Sequence, residues 1–258
     1  MPMQSAHVFS IAQVNLINDF EAVGLGIAAL QSTDLLTLQT GAPQTRGVRL
    51  VVGAGTGLGV GWLTCDDTKK NPAEYTAHPS EGGHMDFAPN DDTQSELLCY
   101  LQQRHGHVSY ERIISGPGLG TIFEFLRDSG RATPSAQLLK AMAEGDAAAA
   151  IAQGAQLGNE PIARMALDLF VSIYGAFVGN LALVTLPHGG IYVAGGIAAK
   201  ISAAMQHGNF LCAFCDKGRF KGLLKALPLH IVTNPQVGLW GASLVAQRTD
   251  ASVANTID

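Results

Sequence analysis

Apolar positions recur along the chain in two distinct periods, and these periods predict an alternation of strands and helices. Asn18-Asp19-Phe20 can cap a helix running to about residue 30, in which Val23, Ile27 and Leu30 recur at helical spacing. Val48-Arg49-Leu50-Val51-Val52 and Val60-Gly61-Trp62-Leu63 read as two strands flanking Gly53-Ala54-Gly55-Thr56-Gly57-Leu58-Gly59, which makes a hairpin. Thr93-Gln94-Ser95-Glu96 reads as a capping box opening a helix to about Gln103. The longest periodic segment carries Ile162, Met165, Ala166, Leu169, Ile173, Phe177, Leu181 and Val184, and it predicts a long helix with that stripe on the core. A short buried strand follows, residues 189–194, ending in the pair Gly195-Gly196 with a helix after it. Residues 227–232 read as another strand, and Pro235 leads into a terminal helix reaching about Gln247. No internal repeat or low-complexity linker interrupts the series.

Composition narrows the class. The 258 residues suffice for one or two domains with a sizeable core; they are 47% hydrophobic, 14% charged and 7% aromatic, with a mean hydropathy of +0.18. This is the profile of a globular α/β protein. Sixteen Lys and Arg against twenty-one Asp and Glu leave a formal charge of -5. With no basic run, the expectation is no nucleic-acid and no membrane-surface partner, and a small-molecule one instead. No stretch approaches 18 uninterrupted apolar residues, and the first residues lack the basic and apolar regions of a signal peptide, so a cytoplasmic location is expected. Four cysteines fit reduced thiols; Cys212-Ala213-Phe214-Cys215 is a single CxxC without the second ligand pair a zinc site needs, and no metal ligand is assigned.

Candidate chemistry lies in short motifs, each with a plain structural reading beside the functional one. The glycine turn at 53–59 is neither GxGxxG, since Leu58 and Val60 stand where the third glycine belongs, nor a Walker A loop. Its backbone N–H groups and the Thr56 hydroxyl could meet phosphate oxygens, or its glycines could simply build a hairpin. Ser80-Glu81-Gly82-Gly83-His84-Met85-Asp86-Phe87 sets a carboxylate and an imidazole around two residues without Cβ, suited to sugar hydroxyls lying against the backbone; the plain reading is an exposed turn. Asn18-Asp19 is a helix cap or contains a catalytic base. Glu111 in Ser109-Tyr110-Glu111-Arg112-Ile113-Ile114-Ser115-Gly116-Pro117-Gly118 is a ligand for hydroxyls or a solvated residue paired with Arg112. His105 and His107 flank Gly106 without an acidic partner at ligand spacing, and with His78 they read as surface residues.

Taken in order, Asn-Asp, GAGTGLG, EGGHxDFAP, ERxxSGPG, AGG and DKGRF closely resemble the bacterial-type glucokinases of the actin-like sugar kinase superfamily, over nearly the whole chain. The resemblance implies an α/β fold, actin-like and thus ribonuclease H-like, and an ATP:D-glucose 6-phosphotransferase that uses ATP with its bound Mg2+. By that likeness Asp19 is the base for the sugar 6-hydroxyl, and Asn18, Glu81, His84 and Glu111 hydrogen-bond the other hydroxyls. Gly53, Gly55, Thr56, Gly57 and Gly59 match a phosphate hairpin, and Gly195 and Gly196 the turn beside the adenosine. Relatives open with a strand bearing an Asp-x-Gly-Gly-Thr-Asn-like phosphate turn, to which Met1 to Ala12 has no counterpart. The expected layout is therefore a truncated small lobe at residues 1–40, a complete large lobe at 41–232, and a C-terminal helix at 233–258 returning to the small lobe. Impaired turnover follows as an expectation, and the alternative is a catalytically inactive sugar-binding or regulatory module. A homodimer is compatible with the resemblance.

Overall fold

The computed structural model describes residues 14–65 and 75–254; Met1 to Ala12, expected to lack a counterpart of the phosphate turn, lies outside the described residues. Its centre is a six-stranded sheet in the order β1-β6-β5-β2-β3-β4, formed by β1 (Leu35–Gln39), β2 (Arg49–Ala54), β3 (Leu58–Cys65), β4 (Tyr75–Ser80), β5 (Gly190–Ala194) and β6 (Leu229–Val232). β2, β3 and β4 form an antiparallel meander, β5 and β6 run parallel to β2 on its other side, and β1 closes the edge antiparallel to β6. This is the ribonuclease H-like arrangement that the actin-like resemblance implies. The first strand of the sheet, β1, starts at Leu35. β1 and β4 lacked a pattern strong enough to predict them, because only one face of an edge strand needs apolar residues.

The central strands are buried on both faces, and their alternation sorts two cores. Leu50, Val52, Ala54, Ile191, Val193, Leu229 and Ile231 point to the larger one. It is roofed by α2 (Asp92–His105), α3 (Gly116–Asp128), α4 (Ala136–Glu144), α5 (Ala147–Leu157), α6 (Pro161–Thr185) and α9 (Asn209–Cys215). Val51, Leu63, Ala194 and Val232 point the other way, under α1 (Asp19–Gly26) and α11 (Val237–Ala254). The remaining short helices are α7 (Gly196–Lys200), α8 (Ser202–Gln206) and α10 (Lys221–Ala226).

Two local expectations are revised. α2 is capped by Asp91, whose carboxylate accepts the Gln94 N–H at 2.7 Å, so Thr93 lies within the first turn and makes no capping box. In α6 the stripe is wider than one seam: Phe170, Tyr174 and Val178 are buried, whereas Met165 is 39% and Val184 81% exposed. The helix is sandwiched, with the sheet below it and α9 crossing so closely that a Cβ on Gly175 would stand 2.2 Å from the Phe210 carbonyl oxygen. α6 is long and apolar enough to cross a membrane, yet 67% of its most apolar window is buried inside the protein, as in the core helix of a globular domain. The CxxC splits, Cys215 buried and Cys212 exposed, and burial pushes the Cys215 thiol above its usual range.

α1 and α11 cross through glycines, since a Cβ on Gly241 would lie 1.7 Å from the Ala22 carbonyl oxygen and one on Gly26 1.9 Å from that of Val237. Gly241→Ala is expected to lower stability in urea titration by about 1–3 kcal/mol through overpacking, although alanine is the better helix former by about 1 kcal/mol. Gly238→Ala on the same helix, whose Cβ would meet only Val23 at 3.4 Å, should be neutral or slightly stabilising. Equal stabilities for the two variants would refute the close crossing.

Candidate functional site

The carboxyl ends of the adjacent parallel strands β2 and β5 open side by side, which is where open α/β sheets bind ligands. The turn after β2 is Gly55-Thr56-Gly57, and the turn after β5 is Gly195, held at φ 88° with no room for a Cβ, which would stand 2.5 Å from the Ala54 carbonyl oxygen. Two cavities adjoin here. One, of about 360 Å³, is lined by Asn18, Asp19, Glu81, Glu111, Gly195 and the hairpin from Gly53 to Val60. The other, of about 610 Å³, is walled by Pro117, Leu119, Ile197 and the alanines at the start of α5, with Lys200, Glu124 and Asp146 as its charged groups. Gly55 and Thr56 line both, so the turn is the partition between them. A larger cavity of about 840 Å³, beside Cys212 and Lys221, contains none of the predicted site residues.

Helix α1 delivers its first residues to the smaller cavity. The Asn18 side-chain oxygen accepts the N–H groups of Phe20 (2.9 Å) and Glu21 (3.2 Å), so Asn18 is both the cap and a cavity residue, with its amide nitrogen left to donate. Asp19 follows, exposed at the rim, with Oδ1 accepting the Phe20 N–H at 2.9 Å. Phe20 fixes the depth of α1: its ring lies against Gly53 and Gly59, a cross-strand pair, and a Cβ on Gly59 would stand 1.9 Å from the ring.

From the opposite side, His84 stands between two carboxylates, Nε2 at 3.9 Å from Glu81 Oε2 and Nδ1 at 3.9 Å from Glu111 Oε1. The other Glu111 oxygen accepts the Leu58 N–H at 2.9 Å. Tyr110, buried between Phe87 and Phe177, anchors this segment, and its hydroxyl accepts from Asn180 at 3.1 Å; burial raises its pKa.

Of the residues predicted for the sugar, Asn18, Asp19, Glu81 and Glu111 line the smaller cavity, and His84 stands behind it between the two glutamates. The glycines of these segments differ in what surrounds them. Gly53 and Gly59 make room for Phe20, Gly57 for Glu111, and Gly83 for the Leu58 carbonyl oxygen, 2.0 Å from where its Cβ would be. Of the glycines matched to the nucleotide, only Gly55 and Gly196 face open space, at the cavities, next to the exposed Thr56. His107 does have an acidic partner, Asp86 at 2.5 Å, brought to it by the bridge between Asp86 and Ser109. His78 stacks on Trp62 and pairs with Thr64, a sheet-surface role. Sequence reasoning missed Phe20 and the wall of the larger cavity at α5, whose one local signal is Asp146 capping an alanine run.

The chain is similar to known glucokinases in sequence and in fold. The sequence pattern of the glucokinase family matches residues 2–249. A glucokinase of Nostoc sp. is 46% identical over 256 residues, covering 94% of this chain and 73% of the relative. The crystal structure of a glucokinase from an Antarctic psychrotroph superposes with a TM-score of 0.79 at 27% identity, over 93% of this chain and 70% of that one. A ROK family glucokinase from Streptomyces griseus, crystallised with glucose and AMPPNP, shares the fold with a TM-score of 0.62 at 16% identity, over 96% of this chain and 72% of that one.

Proposed function

Since this chain belongs to the glucokinase family, we propose that it takes D-glucose into the smaller cavity and ATP into the larger, and transfers the γ-phosphoryl group to the sugar 6-hydroxyl. The observation that carries the reading is the shared turn: two cavities of suitable size meet at Gly55-Thr56, one ringed by hydroxyl-binding side chains and the other largely apolar. The Nostoc relative is named a glucokinase, and the Streptomyces neighbour holds glucose and AMPPNP.

In this mechanism Glu81, His84 and Glu111 bind hydroxyls of the sugar, with Asn18 donating from its amide. As the 6-oxygen bonds to the γ-phosphorus, the bridging bond to the β-phosphate breaks, ADP departs and Asp19 takes the hydroxyl proton. Little covalent chemistry is left to the protein, so positioning and charge stabilisation do most of the work. The backbone at Gly55 and the Thr56 hydroxyl stand where phosphate oxygens would pass between the cavities. Mg2+ would arrive on the ATP phosphates and neutralise their charge, keeping mainly water and phosphate ligands; no group of three or more His, Cys, Asp or Glu residues that could hold a metal occurs among the described residues. Several fixed partners for different hydroxyls also favour one epimer, because a mismatch leaves polar groups unpaired.

Calorimetry with D-glucose and an assay of ATP-dependent glucose 6-phosphate formation test this reading. Binding and product formation are the expected results; glucose binding without product would leave a sugar-binding module, and the absence of both would sink the proposal. Glu81→Ala is expected to weaken glucose binding by about 1.5–3 kcal/mol, roughly 10- to 150-fold, the loss of a hydrogen bond to a charged group. An unchanged affinity would remove Glu81 from the sugar site.

A further inference from the structure

The partition between the cavities is held from a single short segment. The Leu58 N–H, on one shoulder of the turn, donates to Glu111 Oε2 at 2.9 Å. The Gly55 carbonyl, on the other shoulder, accepts the Gly116 N–H at 2.9 Å. Glu111 lines the smaller cavity and Gly116 the larger. The stretch between them has little freedom. Ile113 and Ile114 are fully buried, both donate to the Tyr110 carbonyl, and Ser115 is 3% exposed and caps α3 through the Gly118 N–H at 3.1 Å. A Cβ on Gly118 would stand 2.2 Å from the Ile113 carbonyl oxygen, so α3 and this stretch move as one body.

We propose that residues 111–116 are a two-point clamp through which sugar occupancy sets the position of the Gly55-Thr56-Gly57 turn, so that glucose and nucleotide affinities are coupled; this rests on the sugar site proposed above. A sugar hydroxyl on Glu111 Oε1 immobilises the carboxylate while Oε2 keeps the Leu58 N–H. Gly116, rigidly joined to it, then holds Gly55. The turn is ordered before the nucleotide arrives, and the second ligand meets a smaller ordering cost. Linkage makes the effect reciprocal, and couplings of this kind amount to about 5- to 150-fold in affinity. Gly116 and Ser115 act as positioning residues.

Hydrogen exchange on the 258-residue chain is the first test. Saturating D-glucose without nucleotide should slow the Leu58 and Gly116 amides together, and L-glucose should slow neither. The second test is the affinity for AMPPNP with and without glucose, expected to tighten about fivefold or more. Gly116→Pro removes the donor at the first helical position, where proline is accepted, and Ser115 before it is already extended (φ -155°, ψ 171°). This variant should lose the coupling while its glucose titration reports that it is folded, and Gly116→Ala, which keeps the N–H, should retain it. Should Gly116→Pro fail to fold, the exchange measurement decides alone. Glucose that binds without slowing either amide, or coupling that persists in folded Gly116→Pro, overturns the clamp and leaves the sugar site standing. No glucose binding at all overturns both.

Discussion

Asp19→Asn is expected to lower the rate of glucose 6-phosphate formation by about 10²–10⁴ in kcat while leaving glucose affinity within about twofold. The asymmetry follows from what the carboxylate does. A base accepts its proton only as the 6-oxygen attacks, so its contribution exists in the transition state and is nearly absent from the ground-state complex. Asparagine keeps the size and can still accept the Phe20 N–H that Asp19 Oδ1 accepts at 2.9 Å, so the start of α1 is preserved. The Asn18 cap, bonded to Phe20 and Glu21, is untouched. A kcat reduced by less than about tenfold, measured where calorimetry gives normal glucose binding, would reduce Asp19 to a helix residue.

Gly59→Ala should destabilise the protein by about 1–3 kcal/mol and cut kcat as well, although alanine in a strand ordinarily gains about 0.5–1 kcal/mol over glycine. The clash decides the sign. The new Cβ would stand 1.9 Å from two carbons of the Phe20 ring, and Gly53 already leaves the ring tip only 2.7 Å from where its own Cβ would be. The ring must therefore leave the hairpin and carry α1 with it, and Asp19 is the residue next to it. Gly61→Ala is the control, because that Cβ would meet its nearest neighbour, the His78 carbonyl oxygen, at 3.4 Å. In a double-mutant cycle, Gly59→Ala combined with Phe20→Ala should cost less stability than the sum of the two, as expected for residues in contact, yet kcat should stay low. Additive stabilities, or a normal kcat in Gly59→Ala, would show that Phe20 does not set the position of Asp19.

Sequence alone determined whatever depends on neighbours within a few residues. The β2–β3 hairpin, the Asn18 cap, α6 and the strand before Gly195-Gly196 were legible because strand alternation, helical spacing and capping are local rules. The order of the motifs identified the family, and with it four side chains that line the smaller cavity and the His84 beside them. The tertiary structure decided what the glycines are for. Read locally, 53–59 and Gly82-Gly83 are either ligand gaps or plain turns; in the fold, Gly53 and Gly59 receive Phe20, Gly57 receives Glu111 and Gly83 receives the Leu58 carbonyl. An absent Cβ records that something approaches closely, and a linear pattern does not say whether that is a phosphate or another part of the chain. The same reason hid the Asp86–His107 pair, the clamp from Glu111 and Gly116 to the turn, and the edge strand β1. Each joins residues far apart in sequence, so its partner is fixed only when the sheet and its two helical layers are packed.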